Sequence, residues 1–481
     1  MYLMGIDLGT TGCKSMVFSP KQHILSEHYI EYELIFTPEG VEQDANEWWR
    51  HVQDAIIAGI SKAGIDGRDI RGIAVGSQGI SFVPVDKTGK TLMNAISWYD
   101  TRAEEEAFLI QSDPDAEDLV RRTGRRISPL VFPQIMWLKK HKADLYDQTW
   151  KFLMGLDFIQ YRLCGATVTD YSMASGTLCY DTITHTWINA LFERYGIDLN
   201  KMPQIGCFGD VVGSIDPLVA RRLGLSEDVK VILGLQDQKC AALGAGIREG
   251  VLTVSLGTAG AVSSLSEVHC FDPLMRVFCH GFDRSRWMLE SCVATAGAAL
   301  RWVKNSFFPG LTYRDLDLLA QKAPPGSNGL FFYPLLSPGS QTEPPGRMVG
   351  INLNTSRNDV VRSVLEGVAF EIADQVYAHR QVNRQVLNAT ELHVFGGGSA
   401  SPIWCQILAD VTGFSVLVPQ TREMACLGAV MCAGIGTGVF QNMKDAQDTC
   451  GLTWTRYQPD PSQNQLYRPI LSDYLAARAY R

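Results

Sequence analysis

Met4-Gly5-Ile6-Asp7-Leu8-Gly9-Thr10-Thr11-Gly12 stands near the start of the chain, and far downstream Leu252-Thr253-Val254-Ser255-Leu256-Gly257-Thr258-Ala259-Gly260 repeats its pattern. The first is followed by the apolar run Ser15 to Phe18 and the turn residues Ser19-Pro20, the second by Ala261 to Ser264. Each stretch reads as strand, Leu-Gly-Thr-small-Gly turn, strand, which is a β-hairpin with a Gly- and Thr-rich turn. One such hairpin means little. Its return at the start of each half of the chain marks an internal repeat.

A second shared feature follows each hairpin. Asn46 to Ala63 places Trp49, Val52, Ile56 and Ile60 on one helical face, and the strand Ile70 to Val75 then enters the turn Gly76-Ser77-Gln78-Gly79. In the second half, Asn358 to Val382 lines up Val361, Leu365, Val368, Ile372 and Val376, and the strand Leu392 to Phe395 enters Gly396-Gly397-Gly398. Hairpin, helix, strand and Gly-rich turn recur in one order. The spacing divides the chain near Gly244 to Gly250, into residues 1–245 and 246–481. The Pro- and Gly-rich stretches Ala323 to Asn328 and Ser337 to Gly346 read as surface excursions of the second half, and Leu471 to Arg481 as a short terminal helix with no segment after it.

Composition narrows the function classes. A chain of 481 residues is too long for one core and fits roughly two to four domains. Hydrophobic residues make up 46% and charged residues 20%, with a formal net charge of −8 and no run of five or more Lys and Arg. That balance speaks against non-specific nucleic-acid binding, so an anionic ligand must be held locally. The 12 cysteines are scattered without a CxxC pair, which reads as reduced, mostly buried thiols. Met1 to Asp7 has no basic leader region, and the uncharged stretch Ala425 to Phe440 is short for a membrane span and rich in Gly, as in a closely packed internal helix. A cytoplasmic protein without a membrane partner is expected.

The repeated turn suits phosphate for a physical reason. Gly lets the backbone approach closely, successive N–H groups point at an anion, and a Thr hydroxyl adds a donor. Asp7 ends the strand before the first turn, where a carboxylate is repelled by phosphate unless a cation lies between. It therefore reads either as a turn-capping residue or as a holder of Mg²⁺, and the repeat favours the second. Lys14 is placed to neutralise phosphate charge. Gly396-Gly397-Gly398-Ser399-Ala400-Ser401-Pro402 is the strongest helix-start signal in the chain, with Ser401 as N-cap, Pro402 in the first position and Gly413 as the stop. Three glycines between strand and helix let a flat ligand or a phosphate lie on the backbone, although tight packing also explains one or two of them. Neither this run nor Gly244-Ala245-Gly246 has GxGxxG spacing, so a nicotinamide dehydrogenase is poorly supported.

Asp237, within Gly234-Leu235-Gln236-Asp237-Gln238-Lys239, follows the strand Val229 to Leu233. It reads either as a general base for an attacking hydroxyl or as the N-cap of the next helix, with Gln236 and Gln238 beside it to bond neighbouring hydroxyls. Polyol recognition needs donors, acceptors and an aromatic face. Gln78 in its turn with Gly79, Trp98, Asp100 and Arg102 supply those types, although Trp98 suits a core equally and Arg102 can pair with Asp100 on the surface.

Met4 to Lys14, Gly234 to Gly246, Ser255 to Gly260, Ala294 to Val303 and Phe395 to Gly428 together resemble the FGGY carbohydrate kinases, a family that includes xylulose, ribulose, fuculose, gluconate and glycerol kinases. The resemblance covers nearly the whole chain. Gly397 to Asp410, with Glu423, Leu427 and Gly428 following, is similar to the family's C-terminal signature. It implies an α/β protein of two actin-like, ribonuclease-H-like domains with an interdomain cleft, the acceptor mostly on the first and ATP mostly on the second. It implies Asp237 as catalytic base, Thr10, Thr11 and Lys14 near the β- and γ-phosphates, and Asp7 near magnesium. Thr258 is implied at phosphate, Gly297, Gly397, Gly398 and Ser401 along the nucleotide, and Glu423 in the pocket wall; a homodimer is common in the family.

The substrate is less determined. Xylulose kinases of the family carry Gln-Met-His-Gly where this chain reads Gln78-Gly79-Ile80-Ser81, and the Arg-Glu pair of the glycerol kinases is absent too. Asp237-Gln238, by contrast, looks like the Asp-Gln of the glycerol kinases, where the Gln touches the substrate. Transfer of the ATP γ-phosphoryl group to a pentulose such as xylulose is the first expectation, with glycerol- or erythritol-type polyols, hexuloses and aldonates as alternatives. The rivals from other classes are an actin- or chaperone-like ATPase switch and a sugar-binding homologue that has lost catalysis; the retained Asp7 and Asp237 argue against the latter.

Overall fold

The computed structural model describes residues 1–336 and 345–479. The first half is built on a mixed sheet of β1 (Tyr2–Leu8), β2 (Gly12–Ser19), β3 (His23–Glu31), β4 (Ile70–Ser77) and β5 (Lys230–Ile232) in the spatial order β3-β2-β1-β4-β5. The hairpin strands are antiparallel, and β1, β4 and β5 run parallel. The second half repeats this with β6 (Leu252–Leu256), β7 (Gly260–Ser266), β8 (Trp287–Val293), β9 (Glu391–Phe395) and β10 (Ser415–Pro419) in the order β8-β7-β6-β9-β10. The strand directions match as well. A further antiparallel strand, Val211–Ser214 beside β5 and Trp454–Tyr457 beside β10, extends each sheet at the same edge. This is the actin-like, ribonuclease-H-like fold, twice.

The crossover helices lie where the periodicity places them. α1 (Ala45–Ala63) is capped by Asp44 and buries Trp48, Trp49, Val52 and Ile56 on its sheet. Its counterpart α4 (Arg357–Val382) starts in a Ser356/Asp359 capping box and buries Val361, Leu365, Val368 and Ile372. Such side chains each contribute about 1.5–3 kcal/mol when removed from water. α5 (Pro402–Thr412) has Ser401 as N-cap, Pro402 in its first turn and Gly413 in the left-handed conformation at its end.

Most of a large elaboration of the first half lies between α1 and α2 (Asp237–Gly244), with a core around Phe82, Phe132, Phe152 and Phe192 and a five-stranded sheet that also takes in Ile35–Thr37 and Gly40–Gln43 from before α1. The two halves meet along α2 and α6 (Met424–Gly436). α6 is apolar all round because it is covered all round, by β1 and β4 on one side and α2 on another. Backbone approaches backbone here: a Cβ on Gly428 would lie 1.9 Å from the Cys240 carbonyl oxygen, and one on Gly5 would lie 2.2 Å from that of Cys426. The packed internal helix expected for Ala425 to Phe440 is this element, and no described helix is long and apolar enough to cross a membrane.

Two local expectations change, and a third is untested. The terminal helix begins at Pro461, well before Leu471, because Tyr467 and Tyr474 bond Glu366 and Glu371 of α4 and hold Pro469 inside a helical run. The stretch Ala323 to Asn328 is tied down instead of free-running, since Glu366 accepts from Gly326 N and Ser327 Oγ. The loop expected over 337–346 lies outside the described residues except for its last two. The cysteines are all free thiols, with only Cys292 exposed.

Candidate active site

Parallel strands bring their carboxyl ends to one edge of a sheet, which is where ligands of α/β folds bind. In the first half β1 and β4 align Asp7 with Gly76 and Leu8 with Ser77, and β5 delivers the chain to Asp237 beside them. Three segments distant in sequence, Asp7 to Thr11, Gln78-Gly79 and Gln236 to Gln238, thus form one edge. Ser77 pairs with Gln236 in a short parallel bridge, and Gln78 N donates to the Leu8 carbonyl at 2.7 Å.

Asp7 does not cap its turn. Its Oδ1 is buried without any hydrogen-bond partner, and the turn is closed by Gly9 N donating to the Gly12 carbonyl at 2.9 Å. Burial pushes the Asp7 carboxyl up to about 6, with Lys14 opposing and Glu423 adding to the shift. Lys14 is the register partner of Asp7 across the hairpin, and its Nζ lies 2.5 Å from Glu423 Oε2 in the second half.

Asp237 is not the helix cap either. Gln236 occupies that place without a side-chain cap bond, and Asp237 takes the first helical position of α2. Its Oδ1 accepts from Gln238 N at 2.7 Å and from Gln236 Nε2. Burial, then the charge of Asp7, pushes the Asp237 carboxyl up to about 7. A carboxylate held near neutrality can take a proton from an alcohol at ordinary pH. The charge of Asp7 raises Asp237, and Asp7 itself has a buried oxygen without a donor; that combination fits a divalent cation carried in with phosphates, since Mg²⁺ needs only one or two protein carboxylates.

The polyol-type residues divide. Gln78 is fully buried and donates to Gln43 Oε1 at 2.9 Å, Gln43 donates to the Thr10 carbonyl at 2.9 Å, and Gln78 Oε1 keeps no partner. Gly79 receives the Gln236 side chain at about contact distance, a Cβ there lying 3.0 Å from Nε2. Trp98 is no core residue: it is 37% exposed, stacks on Tyr99 and donates from Nε1 to Thr10 Oγ1 at 3.0 Å. Asp100 is saturated within the protein. Its oxygens accept from Val41 N and from three Arg102 donors, and the pair is buried rather than on the surface. It holds the strap that presents Trp98. The Gln238 side chain makes no hydrogen bond among the described residues.

In the second half, β6 and β9 align so that the Gly257-Thr258 turn lies against Gly396. Ala296 N and Ala298 N donate to the Thr258 carbonyl, and Gly297 N to that of Gly257 at 2.8 Å, docking the start of α3 (Gly297–Phe307) on the turn. Gly396 has φ 92 and backs on Leu256, and Gly398 packs against the Leu256 side chain, so both are explained by packing. Gly397 has nothing within 4 Å of where a Cβ would stand. Ser401 Oγ accepts from Trp404 N and donates to Asp317 Oδ1 at 2.7 Å. The Gln43 relay, the Asp317 contact and the Lys14–Glu423 pair carry no sequence signal, because each joins segments that only folding brings together.

Descriptions of a known protein family match both halves of the chain. The N-terminal domain of the FGGY family of carbohydrate kinases matches residues 2–244, and its C-terminal domain matches residues 252–437. The chain belongs to the FGGY family. Among its FGGY relatives, the xylulose kinase of Bacillus subtilis (strain 168) is 28% identical over 482 aligned positions, covering 98% of this chain and 96% of that protein. The ligand-bound xylulose kinase of Lactobacillus acidophilus superposes with a TM-score of 0.91 at 25% identity, covering 99% of this chain and 97% of that one. The gluconate kinase of Lactobacillus acidophilus gives 0.91 at 26% identity with the same coverage. FGGY proteins named for a neutral sugar and for a sugar acid are therefore equally near in fold.

Proposed function

We propose that this chain is an ATP-dependent kinase that transfers the γ-phosphoryl group to a hydroxyl of a small sugar or polyol. The observation that carries the reading is Asp237, raised toward neutrality at the carboxyl end of the parallel strands and close enough to Asp7 to feel its charge. Among neutral acceptors a pentulose such as xylulose comes first, on the family relatives; glycerol- or erythritol-type polyols, hexuloses and aldonates are the alternatives.

In this reading the acceptor hydroxyl donates to Asp237 while Gln78, Gly79, Trp98 and Gln238 border the rest of the molecule. The hydroxyl oxygen attacks the γ-phosphorus, the bond to the β–γ bridging oxygen breaks, Asp237 takes the proton, and ADP leaves. Thr10, Thr11 and Lys14 meet the β- and γ-phosphates; Thr258, Gly297, Gly397, Gly398 and Ser401 line the nucleotide, and Glu423 walls the pocket. Asp7 would hold Mg²⁺, which supplies charge neutralisation between the phosphates. Movement of the halves about α2 and α6 would exclude water. The enzyme is read as cytoplasmic, acting on a small molecule without nucleic-acid or membrane partners, and a homodimer is the assembly to test.

The test is ADP release with and without a panel of ketopentoses, ketohexoses, aldonates and polyols. Strong stimulation by one of them is expected. ATP consumption indifferent to every acceptor would favour an actin- or chaperone-like switch instead.

A further inference from the structure

Arg125 follows the helix Ala116–Thr123, in a turn docked on the second half: Cys279 N donates to the Gly124 carbonyl at 3.0 Å, and a Cβ on Gly124, whose φ is 66, would lie 2.2 Å from the Cys279 carbonyl oxygen. From that anchor the Arg125 side chain turns inward. Nη1 donates to the Gly176 carbonyl, Nη2 makes a long bond of 3.3 Å to Ser128 Oγ, and the buried Nε has no partner. The guanidinium forms no ion pair among the described residues. Burial holds it down to about 10.

Its neighbours are those of the proposed active site. Gly176 packs against Ile80, the residue after Gln78-Gly79. Glu290, on β8, acts on both Arg125 and Asp237, and it pairs at 2.8 Å with Lys239, two residues beyond Asp237 on α2. Cys292, also on β8, is exposed and feels Arg125, Glu290 and Lys239 together.

Arg125 stands outside the ion pairs of this wall. Lys239 pairs with Glu290 and also acts on Asp170 and Asp237. Protein packed around the Cys292 sulfur desolvates it and pushes the thiol up to about 12 although the residue as a whole is exposed, and burial keeps His280 neutral, so neither supplies an anion. Arg125 feels Glu290 but forms no ion pair among the described residues, and its desolvated fork is left with a buried N–H unpaired, an expensive arrangement unless a ligand completes it. The Nε–Nη2 edge, free but for the long bond to Ser128, is the edge that takes a carboxylate bidentately.

We infer that Arg125 sets acceptor specificity and that the acceptor carries a carboxylate, making it a small polyhydroxylated acid of the aldonate class. This rests on the kinase reading and chooses among its acceptors, displacing the neutral pentulose. The reacting hydroxyl sits at Asp237 and the acid group at Arg125.

The experiment compares five- and six-carbon aldonates with ketoses and polyols of equal length, by ADP release and by calorimetric binding without ATP, in the wild type, Arg125→Met and Arg125→Lys. The wild type should prefer an aldonate by on the order of 10²-fold in kcat/KM. Arg125→Met should lose that preference through KM and through binding of the acid, with little change for neutral acceptors; Arg125→Lys, keeping charge but not the fork, should retain part of it. Wild-type phosphorylation of a neutral ketose or polyol at least as efficient as that of its acid counterpart would overturn the inference while upholding the kinase. So would unaltered acid binding by Arg125→Met. If Arg125→Met does not fold, the wild-type preference and Arg125→Lys decide. Arg125-dependent binding of an aldonate that no condition phosphorylates would support the acid site and overturn the kinase reading.

Discussion

Lys14 Nζ lies 2.5 Å from Glu423 Oε2, tying the second strand of the first hairpin to the residue that starts the buried helix of the other half. The side chains are 32% and 29% exposed, so the pair adds at most about 1 kcal/mol to stability. Its consequence is functional, because Lys14 stands opposite Asp7 in the hairpin register. Lys14→Met is expected to raise KM for ATP by about tenfold, equivalent to ~1.4 kcal/mol. Glu423→Gln should leave the unfolding free energy from denaturant titration within about 1 kcal/mol of the wild type. An unchanged KM in Lys14→Met would remove Lys14 from the phosphates.

Asp237→Asn should fold normally and lose about 10²- to 10⁴-fold in turnover. In the wild type, kcat/KM should fall on the acid side of about pH 7, as the raised carboxyl protonates. Stability moves the opposite way. A folded pKa of about 7 against an ordinary 3.8 means that the contribution of this group is fully present below 3.8 and is lost as pH rises through 7. Asn escapes that loss. At pH 8 the variant should therefore be more stable by ~2 kcal/mol, discounted for partial solvation, and the two proteins should converge near pH 4. Denaturation of both across pH checks it; parallel curves would mean that the carboxyl is not strained by burial.

Asp7→Ala removes the buried oxygen that lacks a donor. Turnover at limiting Mg²⁺ should fall much more than acceptor binding, with calorimetry of the acceptor alone close to wild type. Equal losses in both would point to a general collapse of the strand edge.

Gly397 and Gly428 separate ligand from packing. Gly397→Ala meets nothing within 4 Å, so its melting temperature should match the wild type while KM for ATP rises about tenfold. Gly428→Ala puts a methyl 1.9 Å from the Cys240 carbonyl oxygen and should destabilise by about 1–3 kcal/mol or more. A normal KM in Gly397→Ala would leave that glycine without a role at the nucleotide.

The repeated hairpin, the amphipathic crossover helices and the Ser401-Pro402 helix start were legible because each is a local pattern: turn chemistry, 3.6-residue periodicity and capping all act over a few residues. The same locality left Asp7 and Asp237 ambiguous. A capping Asp and a reacting Asp have the same neighbours in sequence, and only burial beside another carboxyl tells them apart. Asp100 and Trp98 stayed ambiguous for a related reason: saturation by Arg102 and Val41, and exposure beside Thr10, are properties of surroundings assembled from distant segments. The sequence by itself determined two equivalent α/β halves with Gly-Thr turns at matching strand ends. Tertiary structure alone decided which side chains share one edge, which carboxyl is raised and where an unpaired cation is buried, because desolvation and charge depend on distances in space that chain spacing does not encode.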